Sequence, residues 1–430
     1  MKVKIKPGII SGQIEIPPSK SYSHRAVIAA SLAENRGKSE ITNLKFSVDI
    51  KTTVEIMEKW GADIIKGESS LMIKGNNGKV IPKDRYTQCN ESGSTVRFLI
   101  PVGLTSENEL IFDGKGKLVS RPLNSYYKIF EKQGIFYETE KGGLPLKVKG
   151  KLRSGVYEID GNISSQFITG LLYALPLLEG NSEIKINKIL ESKGYVDLTL
   201  EILKLSGIEI KNNGYKSFEI KGKQTYKTFN YIVEGDYSQG AFWIVAGIIA
   251  SKQDNEIKCL HLNKNSLQGD KEIIEIVQRM GANLEIYDDC VIVKPSKTKG
   301  TVIDISQCPD IGPILTVLAA LSKGKTEIIN AERLRIKESD RITSIRTELN
   351  KIGAEIEETE NSLIIQGVDK FKGGAVLSAW NDHRIAMSLA VASIRCEEEI
   401  IIEEAESVKK SYPHFWEDFR KMGGDVTEIF

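Results

Sequence analysis

Six times along this chain a polar cluster stands directly before an apolar, helix-like run, at nearly constant spacing. Lys20-Ser21-Tyr22-Ser23-His24-Arg25 precedes residues 26–33, Glu91-Ser92-Gly93-Ser94-Thr95 precedes 96–104, and Asn162-Ile163-Ser164-Ser165-Gln166 precedes 167–178. Asp236-Tyr237-Ser238-Gln239, Cys308-Pro309-Asp310 and Asn381-Asp382-His383-Arg384 then precede 240–250, 311–321 and 385–394. From residue 20, steps of 72, 72, 72, 74 and 72 reach 92, 164, 236, 310 and 382. A second series keeps the period in another phase: glycines 61, 134, 207, 281, 353 and 423 each follow a helix-like run and lead into an alternating strand. Each fits the position after a helix end where a positive φ turns the chain.

The spacing predicts six βαβ-type units, so the fold class is α/β. Each unit holds one helix apolar on every side, which must be buried, and a more amphipathic one such as 50–60 or 271–280. One unit cannot bury such a helix alone, whereas three packed together can. Two globular domains of three units follow, with the chain crossing over near 228–234.

Lys+Arg 59 against Asp+Glu 58 gives a net charge of +1, so no global field draws the 430-residue chain to nucleic acid or to an anionic membrane. Aromatic residues at 7% also argue against a base-stacking surface. No apolar run reaches membrane-span length, and residues 1–7 lack a signal-peptide core. Five scattered cysteines without a CxxC pair indicate reduced thiols in a cytoplasmic setting. Four histidines without metal-site spacing argue against a protein-built metal centre.

The densest chemistry lies in Arg333-Leu334-Arg335-Ile336-Lys337-Glu338-Ser339-Asp340-Arg341. If a helix begins at Lys337, Lys337 and Arg341 share one of its faces with Glu338 beside them. A fixed arginine fork, a lysine point charge and a carboxylate suit an anionic substrate that exchanges a proton. A solvated helix start with internal salt bridges has the same composition. Ser92, Ser164, Asp236 and Asp382, taken singly, read as helix N-caps. Capping does not call for Lys20, Arg25, Arg97, Arg121, Lys337, Arg341 or Arg384 in or near the same segments. Cations there oppose the helix dipole, which an anion among them would resolve.

These residues carry a resemblance. The set Lys20 to Arg25, Ser92-Gly93-Ser94-Thr95-Val96-Arg97, Ser120-Arg121-Pro122, Ser164-Ser165-Gln166, Pro309-Asp310, Lys337 to Arg341, Asp382 to Met387 and Lys410-Ser411-Tyr412-Pro413 resembles the enolpyruvyl transferases over essentially the whole chain. The resemblance implies two similar domains, each of three βαβαββ repeats around buried helices, an inside-out α/β barrel arrangement. Residues 1–18 would belong with 234–430, residues 19–233 would form the other domain, and the active site would lie in the cleft between them. It implies the branch that joins phosphoenolpyruvate to shikimate 3-phosphate, without a cofactor or metal. The chain is then expected to be a cytoplasmic monomer, inhibited by glyphosate through an unobstructed Gly93.

By position, Lys20, Ser21, Arg25, Ser164, Ser165, Gln166, Ser192, Tyr195, Asp310 and Lys337 would meet shikimate 3-phosphate. Lys20, Gly93, Arg121, Gln166, Arg341, Arg384 and Lys410 would meet phosphoenolpyruvate. Asp310 is assigned as base towards the attacking hydroxyl, Glu338 as proton donor and acceptor at C3, and Lys20 as acid at the bridging oxygen. Arg333 departs from the pattern, since some relatives carry asparagine there. The alternative is the branch acting on UDP-N-acetylglucosamine, which usually has a reactive cysteine in the stretch corresponding to 113–121, where this chain has none.

Overall fold

The computed structural model describes residues 1–250 and 255–429. Twelve α-helices among these residues alternate in kind along the chain: α1 (Lys20–Leu32), α2 (Val48–Lys59), α3 (Gly93–Gly103), α4 (Asn124–Gln133), α5 (Ser165–Ala174), α6 (Lys193–Leu205), α7 (Tyr237–Ile249), α8 (Ile273–Arg279), α9 (Gly312–Ala320), α10 (Arg341–Lys351), α11 (His383–Ala392) and α12 (Phe415–Lys421). The odd-numbered helices are the apolar runs found in the sequence. In α7, α9 and α11 every residue is buried, and α1, α3 and α5 stay partly open only near their first turn. The even-numbered helices bury one stripe each, as Ile50, Val54 and Met57 do in α2.

The chain divides into two compact units, Lys20–Val233 and Met1–Ser19 with Glu234–Phe430. Each has its own hydrophobic core. Among the described residues the strands form six four-stranded sheets, three per unit, all wired alike. The first strand of a repeat pairs parallel with the second, the second antiparallel with the fourth, and the fourth antiparallel with the third. In the third repeat these are Val156–Asp160, Ser182–Asn187, Ser217–Ile220 and Ile210–Asn212.

Three strands complete repeats to which they are not adjacent in sequence. Asn230–Ile232 supplies the first strand of the first repeat, pairing Tyr231 with Ile41. Gly12–Glu15 does the same for the fourth, pairing Ile14 with Cys259. The sixth repeat, truncated in the sequence, receives its fourth strand from Lys2–Lys6, where Val3 pairs with both Ile402 and Glu428.

All six periodic glycines have positive φ, from 68° at Gly134 to 104° at Gly423, as the turn from helix to strand demands. No helix among the described residues is long and apolar enough to cross a membrane.

Candidate active site

The buried helices begin where the polar clusters stand. Ser92 accepts a hydrogen bond from Thr95 N, Ser164 from Gln166 N, Asp236 from Ser238 N and Gln239 N, and Asp382 from Arg384 N, so all four are N-caps. Capping accounts for only part of what surrounds them.

In the unit built from 1–19 and 234–430, five of the expected residues converge. Asp310, in the 3-10 turn Pro309–Ile311 ahead of α9, holds Lys337 Nζ and Arg341 Nη1 on Oδ1 at 3.0 and 3.1 Å, and Arg384 Nη2 on Oδ2 at 3.0 Å. Arg341 Nη2 also donates to Glu338 Oε2 at 2.7 Å. Its Nε and Nη2 grip Asp382 in a two-point fork at 2.8 and 3.2 Å. The Arg341 side chain is 1% exposed, whereas those of Asp310, Lys337 and Glu338 are each 19% exposed and open to solvent. Ser339 donates a further bond to Asp382.

The helix expected from Lys337 does not start there. Asp340 accepts from Thr343 N, and this cap fixes Arg341 as the first residue of α10. Lys337 and Glu338 lie in the turn between that cap and the 3-10 segment Glu332–Ile336, so a turn, not an i, i+4 face, sets their spacing. Arg333 is buried and donates to the Ser306 carbonyl at 3.4 Å. Lys410 donates to the carbonyl of Asn381, next to Asp382, at 2.6 Å.

Burial pushes the Lys337 ammonium down to about 8, helped by Arg333 and Arg341 and opposed by Asp310 and Glu338. For Asp310, burial alone would raise the carboxyl, but Arg384, Lys337 and Arg341 together hold it well below the usual range. Burial likewise opposes the charge on Asp382, and Arg341 outweighs it, so its carboxyl is also lowered.

In the unit 20–233, Lys20 opens α1 and pairs with Asp49 Oδ2 at 3.0 Å. Arg25, one turn further on, is buried, and none of its partners among the described residues is a carboxylate. It donates to Thr199 Oγ1 at 2.9 Å, and to the carbonyls of Ser21 and Tyr195 at 2.8 Å each. Its guanidinium lies over the Phe98 ring, and burial lowers its basicity. Gln166 is oriented from both ends: its oxygen accepts from Arg97 at 2.7 Å and its amide donates to Ser94 at 3.0 Å. Ser165 opens α5, and Ser192, at φ 54°, is the residue directly before α6, two before Gly194-Tyr195.

Gly93 is more crowded than its sequence suggests. A methyl there would come within 2.6 Å of Arg121 Nη1, because that guanidinium lies directly over it. Sequence reasoning passed over Asp49 and read Asp382 only as a cap. An acidic residue in a helix's first turn normally signals dipole pairing, so nothing local marks Asp49 as the partner of Lys20.

Two sets of cations at the starts of buried helices, in two triple-repeat units, are the signature of an enolpyruvyl transferase. The enolpyruvyl transferase NikO from Streptomyces tendae shares the fold, with a TM-score of 0.82 and 16% identity over 100% of this chain and 98% of that one. An EPSP synthase from Acinetobacter baumannii matches with a TM-score of 0.82 and 26% identity, over 99% of this chain and 100% of the other. The family pattern described as EPSP synthase (3-phosphoshikimate 1-carboxyvinyltransferase) covers residues 5–419. A 3-phosphoshikimate 1-carboxyvinyltransferase from Clostridium kluyveri is 54% identical over 426 residues, spanning 99% of this chain and 98% of that protein. This chain belongs to the EPSP synthase family.

Proposed function

We infer that the protein is an enzyme of aromatic amino-acid biosynthesis. It transfers the enolpyruvyl group of phosphoenolpyruvate to the 5-hydroxyl of shikimate 3-phosphate and releases phosphate. The observation that carries this reading is Asp310, solvent-reachable and bound at once by Lys337, Arg341 and Arg384, with Glu338 on the far side of Arg341. A carboxylate that occupies three cations is a placeholder for anionic groups, and two carboxylates beside one cation set suit a reaction that moves protons twice. UDP-N-acetylglucosamine as acceptor is not favoured, since the 51–54% identical relatives carry the shikimate name and 113–121 contains no cysteine.

In this reading Lys20, Ser21, Arg25, Ser164, Ser165, Gln166, Ser192, Tyr195, Asp310 and Lys337 bind shikimate 3-phosphate. Lys20, Gly93, Arg121, Gln166, Arg341, Arg384 and Lys410 bind phosphoenolpyruvate. Asp310 takes the hydroxyl proton as the oxygen attacks C2, while Glu338 gives a proton to C3. In the elimination Glu338 takes a C3 proton back, the C2–O bond to phosphate breaks, and Lys20 protonates the departing oxygen. The proton held by Asp310 then returns to Lys20 by way of solvent, so both groups are reset and the net proton leaves with phosphate. Fixed cations hold two mutually repelling reactants together, an orientation worth about 7–11 kcal/mol of barrier. They also stabilise the departing phosphate in the transition state.

Glyphosate competes for the phosphoenolpyruvate set, and the enzyme is a cytoplasmic monomer. The compartment is supported by five cysteines that are all free thiols. Phosphate release measured with phosphoenolpyruvate, with and without shikimate 3-phosphate, tests the reading. Release is expected only with both, and release driven by UDP-N-acetylglucosamine would overturn it.

A further inference from the structure

Helix α2 does more than cover the core of its unit. Asp49 and Thr53 lie four residues apart on it, facing two residues four apart on α1. Lys20 bonds to Asp49 at 3.0 Å, and His24 Nδ1 to Thr53 Oγ1 at 2.8 Å. Thr53 Oγ1 continues to Thr95 Oγ1 on α3 at 2.7 Å, and Thr95 Oγ1 donates to Ser92 Oγ at 2.6 Å. Ser92 caps α3 and immediately precedes Gly93. Asn90, just before it, donates to Thr52 Oγ1 at 2.8 Å.

The hydrogens along this path can be counted. A hydroxyl has one to give. Thr95 gives its hydrogen to Ser92, so Thr53 must donate to Thr95. Thr53 then has none left for His24, so His24 must carry its hydrogen on Nδ1 and donate it. Every member is buried, and bonds in such a chain reinforce one another. Burial first, then Lys20 and Arg25, keep His24 neutral, so no third positive charge enters between those two cations.

We propose that Thr53 is a positioning residue for the transfer reaction. Through neutral, Nδ1–H His24 and through Thr95, it sets the turn of α1 that carries Lys20 and the turn of α3 that carries Ser92 and Gly93. This rests on the functional reading above, in which Lys20 and Gly93 both bind phosphoenolpyruvate, whereas of these two only Lys20 also meets shikimate 3-phosphate. Arg25 is held by other groups, Thr199, Tyr195 and Ser21, so shikimate 3-phosphate depends less on the relay.

The test uses the full chain with 15N-labelled histidine, together with steady-state kinetics on Thr53→Val, Thr95→Val and Thr53→Ser. One histidine resonance pair, lost in His24→Asn, should show the Nδ1–H tautomer and stay neutral at pH values about a unit either side of 6.5. Thr53→Val should disturb that signature and raise KM for phosphoenolpyruvate about tenfold, with a smaller rise for shikimate 3-phosphate. Thr95→Val should raise the same KM and, because the Thr53 hydrogen is then free to reach His24 Nδ1, should let the tautomers mix in that variant. Thr53→Ser should restore both readouts. A protonated or Nε2–H His24, equal changes in both KM values, or a lowered melting temperature with both KM values unchanged would overturn the proposal. Absence of phosphate release by the unmodified enzyme would instead remove the functional reading, and the tautomer would still decide whether the relay exists.

Discussion

Lys337 gives the most quantitative handle on this site. Its ammonium sits at about 8, against an ordinary value near 10.5. At pH 7 it is about nine-tenths protonated, and at pH 9 roughly one-tenth. Binding an anion requires the charged form, and one unit charge about 4 Å away at an effective dielectric of about 20 returns roughly 4 kcal/mol, enough to keep Lys337 protonated in the complex beyond pH 9. The dissociation constant of shikimate 3-phosphate should therefore rise about tenfold from pH 7 to pH 9, or about 1.4 kcal/mol. Asp310 adds no titration in this window, since its carboxyl is held far below it. Stability moves the other way: a folded-state value below the unfolded one disfavours folding at low pH, and the penalty eases as pH climbs from about 8 towards 10.5. Lost affinity thus separates from unfolding. Isothermal titration calorimetry in buffers of different ionisation enthalpy measures both the affinity and the proton taken up. Lys337→Arg, charged throughout, should flatten the dependence. A flat profile in the unmodified protein, or the same slope in Lys337→Arg, would refute the reasoning.

Three further outcomes are expected. Gly93→Ala places a methyl 2.6 Å from Arg121 Nη1, the far end of a flexible side chain, so stability should change by less than about 1 kcal/mol while Arg121 is driven aside. KM for phosphoenolpyruvate and the inhibitory concentration of glyphosate should both rise, and steady-state titrations finding neither would restore an unobstructed glycine. Arg341→Ala strands Asp382, which has no solvent exposure, and should cost about 3–5 kcal/mol in urea unfolding. A loss below about 1 kcal/mol would show that water replaces the fork. Asp310→Asn should lower kcat by about 10²–10⁴-fold while substrate binding by calorimetry stays intact, and near-normal turnover would remove it from proton transfer.

Local physics made much of this molecule readable from sequence. The glycines at 61, 134, 207, 281, 353 and 423 had to take positive φ, and they do. Ser92, Ser164, Asp236 and Asp382 had to cap apolar helices, and each accepts the expected backbone hydrogen bond. Pairings across the chain were illegible, because residues far apart in sequence decide them. Nothing in Asn230–Ile232 announces that it runs beside Ser39–Thr42, or in Lys2–Lys6 that it lies between two strands of the sixth repeat. The site shows the same division. The cations that gather on Asp310 stood out by composition, whereas Asp49, Thr53 and the second role of Asp382 depend on which helix faces which. The helix expected from Lys337 starts one turn later because the Asp340 side chain accepts from Thr343 N and makes Arg341 the first residue of α10.

The lowered carboxyl of Asp310 looks wrong for a base, since a weakly basic group removes a hydroxyl proton poorly. The difficulty resolves through the charges that cause it. Arg384, Lys337 and Arg341 depress Asp310 because it is their shared counterion in the protein without ligand. When phosphate and carboxylate groups of the reactants take over those cations, the field on Asp310 weakens, while the desolvation that opposes its charge remains. Its affinity for a proton must then rise. In the proposed reaction Asp310 would thus be a weak base in the free protein and a stronger one with the anions bound, which would tie proton abstraction to the presence of both reactants. Arg341 cannot leave with them, because Asp382 holds its other edge from full burial. In the proposed reaction that fork would keep one cation between Asp310 and Glu338 through both proton transfers.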